Sequence, residues 1–196
     1  MVFQSILRSA YLGGFCLLLM SCSLFDTRDP EDPGQGNGSL FIQPDRANDV
    51  IDNLINAVEN LNQLNYLRCL SDNIFEYIPT SQAQNNAPEL WESWSKQDEE
   101  AYFNNMRAAA ENFSGHQLQF QNEDFSPSGN TTLFTADYSL TIIHNQSSAQ
   151  GNIPSVVTGS VIISLRAEDG LWVIESWSDA SDSNSPSWSD MRATFR

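Results

Sequence analysis

"TTLFTADYSLTIIHNQ", residues 131–146, changes character at every step. Phe134, Ala136, Tyr138, Leu140 and Ile142 fall on one parity, and Thr135, Asp137, Ser139 and Thr141 on the other. Successive side chains of a strand point to opposite faces, so this is a strand with one buried face. The same rhythm runs through "SVVTGSVIISLRAEDG" (155–170), with Val157, Val161, Ile163 and Leu165 inward. Asp169-Gly170 supplies residues that tolerate the positive φ of a tight hairpin turn. "LWVIESWSDA" (171–180) then returns as a strand, apolar on both faces near its start, which predicts a central position. "HQLQFQNEDF" (116–125) is the predicted first strand of this antiparallel meander.

Upstream the period lengthens. Val50, Ile51, Leu54, Ile55, Val58 and Leu61 recur at three and four, the pattern of an amphipathic helix, with Asp45 or Asn48 as its cap. Asn62 is predicted to open a short second helix with Leu64, Leu67 and Leu70 on one side. "NIFEYIP" reads as a short strand ended by Pro79, and "SQAQNNAP" as a loop. A third helical region follows, with Trp91 and Trp94 near its start and Tyr102, Phe103, Met106 and Ala110 as its apolar stripe. Helices first and a meander after them make an α+β domain, residues 46–196.

The chain of 196 residues begins differently. Residues 1–21 carry Arg8 and no acid, and an apolar run of about ten residues is too short for a hydrocarbon core that needs about 20. The pattern is that of a signal peptide, with an uncleaved amino-terminal anchor as the other reading. "LMSC" (19–22) resembles the bacterial lipoprotein lipobox, which implies acylation of Cys22 and cleavage before it. Two or more acyl chains give stable membrane anchoring. Ser23 at the next position implies sorting to the outer membrane of a bacterial envelope. Residues 22–45 are rich in Pro, Gly and Asp and read as a flexible tether, with "SLFIQP" (39–44) as a segment that packs on the domain.

The net charge of −16, with 25 acidic side chains against 9 basic ones, repels phosphate backbones and argues against a nucleic-acid partner. Once Cys16 leaves with the leader and Cys22 is acylated, Cys69 is alone, set among apolar residues as a small core side chain.

Three stretches carry a family resemblance: "VIDNLINAVENLNQLNYLRCLSDNIFEYIP" (50–79), "DGLWVIESWSDA" (169–180) and "SPSWSDMRATF" (185–195). They resemble the nuclear transport factor 2-like (SnoaL-like, cystatin-like) superfamily, the last of them a tail seen in lipoproteins of that fold. The resemblance implies a curved antiparallel sheet wrapped around helices to form a conical pocket. It also implies two classes of role, because the superfamily includes isomerases, dehydratases and cyclases beside proteins without catalysis.

An enzyme of this kind needs an acid or base in the cone. His116 and His144 read as surface or turn residues, Asp137 lies on the outward parity, and no Asp–His or Asp–Tyr pair stands at a defensible spacing. No catalytic residue, metal ligand set or cofactor motif is therefore assigned. Tyr66, Trp94, Tyr138 and Trp172 are the candidate lining of a pocket for a small apolar ligand, against core packing as the plainer reading. The expected role is a lipid-anchored, non-enzymatic binding or scaffolding domain that takes a small apolar ligand or an envelope protein. An enzyme of the same fold acting on a small apolar substrate is the alternative, and a purely structural subunit of an envelope complex a third.

Overall fold

The period-two strands and the amphipathic helices form where their patterns put them. The computed structural model describes residues 40–111, 114–144, 147–148, 151–152, 154–181 and 185–196. Cys22, the leader and the tether up to residue 39 lie outside the described residues.

Helix α1 (Ala47–Glu59) buries Val50, Ile51, Leu54, Ala57 and Val58. Its start is closed by neither Asp45 nor Asn48: Asp49 reaches back to accept from the Arg46 amide at 2.9 Å, and its other oxygen pairs with the Arg46 guanidinium at 2.7 Å. Asn62 caps α2 (Gln63–Arg68) by accepting from the Asn65 amide. That helix turns Asn65 and Tyr66 inward and leaves Leu64 exposed, contrary to the predicted leucine side, because Tyr66 takes the core position.

Strand β1 (Glu76–Ile78) ends at Pro79 as predicted. The segment read as a loop contains helix α3 (Ser81–Asn86), whose first turn is held by Thr80 accepting from the Ala83 amide at 3.2 Å. Only Ala83 of α3 is buried, so no apolar period marked it. The third helical region is two helices, α4 (Pro88–Trp91) and α5 (Lys96–Ala109), separated where Ser95 and Asp98 close the start of α5.

Four long strands follow the expected order: β2 (Gln117–Ser128), β3 (Thr131–Thr141), β6 (Val156–Glu168) and β7 (Leu171–Ala180), with a two-residue ribbon of β4 (Ser147–Ser148) and β5 (Gly151–Asn152) between. Asp169 (φ 51°) and Gly170 (φ 86°) make the tight turn into β7. The curved sheet has the order β1-β7-β6-β3-β2. All its pairings are antiparallel except that β1 runs parallel to β7, with Tyr77 beside Trp177. That parallel pairing covers three residues of β7, and Leu171 at its start remains exposed.

Helix α6 (Trp188–Phe195) completes the described residues, capped by Ser187 and Asp190. The lead-in segment packs as expected: Ile42 exchanges two hydrogen bonds with the Asn53 side chain, and the Pro44 carbonyl accepts from the Trp172 amide at 2.8 Å.

Candidate functional site: a cone filled by its last helix

The concave face of the sheet carries Tyr138, Trp177 and Asp179, and β1 adds Tyr77. Helices α2 and α5 close it with Tyr66, Glu99, Tyr102 and Phe103. Helix α6 then enters this space. Its Trp188 and Arg192 are fully buried, and Met191 and Phe195 pack beside them. The cone is occupied by the chain itself.

Two polar clusters form there. In the first, Glu99 accepts from Tyr66 at 2.6 Å, from the Trp94 indole at 2.8 Å and from Arg192 Nε at 2.8 Å. Glu99 and Arg192 both have 0 % exposed side chains. Burial alone would disfavour a charged Arg192, but Glu99 and the surrounding tyrosine oxygens outweigh it and hold the guanidinium firmly protonated. Burial, and then the Glu99 carboxylate, push Tyr66 well above the ordinary phenol range.

In the second cluster Asp179 accepts from Tyr138 at 2.8 Å, from the Ser189 amide at 2.7 Å, from the Ser189 hydroxyl at 2.5 Å and from Tyr77 at 3.3 Å. Burial raises the Asp179 carboxyl above the ordinary aspartate range, although the bonds from Ser189 and Tyr138 pull against it. Tyr138 also accepts from the Trp188 amide at 2.7 Å, so it ties the sheet to α6.

Of the four proposed lining residues, Tyr66 and Trp94 converge on Glu99, Tyr138 belongs to the Asp179 cluster, and half-buried Trp172 stands apart at the lead-in segment. Asp137 is exposed as its parity requires and accepts from Asn122. The histidines are a correction. His116 is 5 % and His144 9 % exposed, so neither is a surface residue. His116 Nδ1 accepts from the Ile143 amide, and His144 packs its ring on Phe195. The absence of an Asp–Tyr pair is corrected too: Asp179–Tyr138 is one. Cys69 is buried, and desolvation pushes its thiol up to about 12, which makes it a poor nucleophile.

Glu99, Asp179 and Arg192 were missed, and each carried a signal. Glu99 stands three, four and seven residues before Tyr102, Phe103 and Met106, on their stripe. Asp179 shares the parity of Trp177, and Arg192 follows Trp188 by four. Each is a charge on an apolar register.

Outside the cone, a groove of about 740 Å³ runs between the lead-in segment, α2 and the start of β7, lined by Phe41, Pro44, Leu64, Leu67, Arg68 and Leu171 among others. Arg68 lies 3.6 Å over the Phe41 ring, and Lys96 pairs with Asp72 at the groove's edge. Among the described residues no group of three metal-ligating side chains occurs, and no helix is long and apolar enough to cross a membrane.

The chain resembles a candidate aromatic ring hydroxylase from Novosphingobium aromaticivorans, at 15 % identity over 74 % of this chain and 92 % of that one, with a TM-score of 0.52. It also resembles a candidate scytalone dehydratase from the same organism, at 7 % identity over 66 % and 77 % of the two chains, with a TM-score of 0.51. The fold is nuclear transport factor 2-like. A nuclear transport factor 2-like protein from Cytophaga hutchinsonii matches at 13 % identity over 68 % of this chain and 93 % of that one, with a TM-score of 0.48. No family model and no curated protein matches. At these identities the likeness extends to the nuclear transport factor 2-like fold and not to an activity.

Proposed function

We propose that this protein is a lipid-anchored binding or scaffolding domain of the bacterial envelope, held at the outer membrane through Cys22, and that it is not an enzyme. The observation that supports the non-enzymatic role is the occupied cone, and the anchor rests on the lipobox-like sequence at residues 19–22. An apolar substrate in this fold needs the space that Trp188 and Arg192 fill. An acid or base needs a free oxygen, and those of Glu99 and Asp179 already accept from the chain's own donors. The same occupancy removes the small apolar ligand from the cone and favours a partner protein on the outer surface. The groove beside the lead-in segment, where Leu64 is 66 % exposed, is the surface we assign to it. The one feature that favours an enzyme is the raised carboxyl of Asp179 between two tyrosines.

Two measurements test this. Growth with an alkyne fatty acid labels the wild-type protein and not Cys22→Ser; equal labelling of both sinks the anchor. Titration of the purified domain with an apolar fluorescent probe gives no saturable signal if the cone stays shut. One probe bound per chain, displaced by substitutions at Tyr138 or Trp177, restores the pocket reading and with it the enzyme.

A further inference from the structure

Arg192 is held the way a bound ligand is held. Its guanidinium carbon lies 4.1 Å from the centroid of Tyr77 and 4.5 Å from that of Trp177, with Tyr102 at 5.4 Å. These rings come from β1, β7 and α5. The counter-charge comes from α5 as well. Glu99 is fixed by Tyr66 and Trp94, so the carboxylate is oriented by groups that do not belong to α6. Helix α6 contributes the cation, Trp188, whose ring stands 5.1 Å from the same carbon, and Ser189, whose hydroxyl lies 2.8 Å from that of Tyr77.

Most of the groups around the guanidinium therefore come from the rest of the chain: one oriented carboxylate, the rings of Tyr77, Trp177 and Tyr102, and the Tyr66 phenol. Tyr66 takes part on both sides, donating to Glu99 and accepting from Arg192 Nη2 at 3.2 Å. Aromatic faces attract a cation through their quadrupole, and a planar guanidinium stacks on them where an ammonium does not. Arg192 also leaves its Nη1 without a hydrogen-bond partner among the described residues. The walls recognise the group without matching every donor of this particular side chain.

We propose that the interior of the cone is a guanidinium-binding site, that Arg192 is its built-in occupant, and that an alkylguanidinium takes the site only when that side chain is removed. This goes beyond the scaffolding role, which places partners on the outer surface, and rests on the same occupied cone; the anchor at Cys22 can fail without touching it.

The test is chemical rescue in the full chain. Arg192→Ala deletes the atoms that N-ethylguanidinium restores. The variant should melt below the wild type, and millimolar N-ethylguanidinium should raise its melting temperature along a saturating curve. Ethylammonium (a cation without the plane) and N-ethylurea (the plane without the charge) should not. The wild type, with its site filled, and the double variant Glu99→Gln/Arg192→Ala, without the counter-charge, should give no such rise. If Arg192→Ala does not fold alone, its refolding yield with each additive is the readout, and recovery with N-ethylguanidinium only is expected. No saturable rescue and no recovery overturns the proposal. So does equal rescue by N-ethylurea, equal recovery with ethylammonium, or rescue that persists in the double variant.

Discussion

Tyr138 donates to Asp179 and accepts from the Trp188 amide, and its ring packs on Trp188 at 5.5 Å. Tyr138→Phe keeps the ring, strands the Trp188 amide and takes from the Asp179 carboxylate the donor to one of its two oxygens, and a buried polar atom left without a partner costs about 1–3 kcal/mol. The expected loss is about 2–4 kcal/mol by urea denaturation, against about 0.5 kcal/mol or less for exposed Asp137→Asn next door. Equal losses would mean the hydroxyl does not tie sheet to helix. Across the ladder from Tyr138 stands Gly159. A Cβ there would lie 2.3 Å from the Ala180 carbonyl oxygen and 2.7 Å from the Tyr138 hydroxyl. Gly159→Ala should therefore reach the upper part of the about 1–3 kcal/mol range for overpacking, because backbone and not a flexible side chain must move. A melt unchanged from wild type would refute that contact. The parity of residues 131–146 was enough to turn Tyr138 inward and Asp137 outward. It gave no hint of what the hydroxyl meets, because Asp179 and Trp188 are 41 and 50 residues away.

Helix α6 rests on both apolar and ionic contacts, and these respond differently to substitution. A buried ion pair is worth little net, whereas removing one partner leaves a charge stranded at a cost of about 3–5 kcal/mol. Arg192→Met should thus destabilise the domain by about that much, and adding Glu99→Gln should recover a large part of it. Denaturant midpoints of the single and double variants measure this coupling. Additive losses would show that the pair does not interact. The element scale is also where sequence reading was least complete. Helix α1 and the meander repeat their period long enough to be legible. Helix α3 has one buried residue, and α6 mixes Trp188, Met191 and Phe195 with Ser189 and Arg192 on its buried side. A charge on an inward register is assigned to solvent unless its partner is known, and the partner, Glu99, is 93 residues away. The same default hid Asp179.

At the scale of the whole molecule the buried carboxyls set the response to acid. Asp179 is raised in the folded chain, so the folded state holds its proton more tightly than the unfolded state, whose value is near 3.8. Its contribution is fully present below that value and is lost as pH climbs through the raised one. Asp49 is lowered by the Arg46 hydrogen bond. Asp98 is lowered as well: burial acts to raise it, and bonds from Ser95 and Arg196 prevail. Their contributions are present above the unfolded value and are lost as pH falls through the folded ones. Thermal stability should therefore increase from neutral pH toward about pH 4 and drop again in stronger acid. In Asp179→Asn the first slope should flatten and the second remain. A variant that keeps both slopes would assign the acid response elsewhere, to relief of repulsion among the 25 acidic side chains.

The position of α6 behind every strand also has a consequence in time. Synthesis delivers the chain amino end first, so Glu99 and the strands emerge while the residues that fill the cone are still unmade. Until then the contacts that α6 makes across 86 to 126 residues remain to be formed. Such long-range closures are slow. The contacts that fill the cone are thus among the last that the growing chain can make.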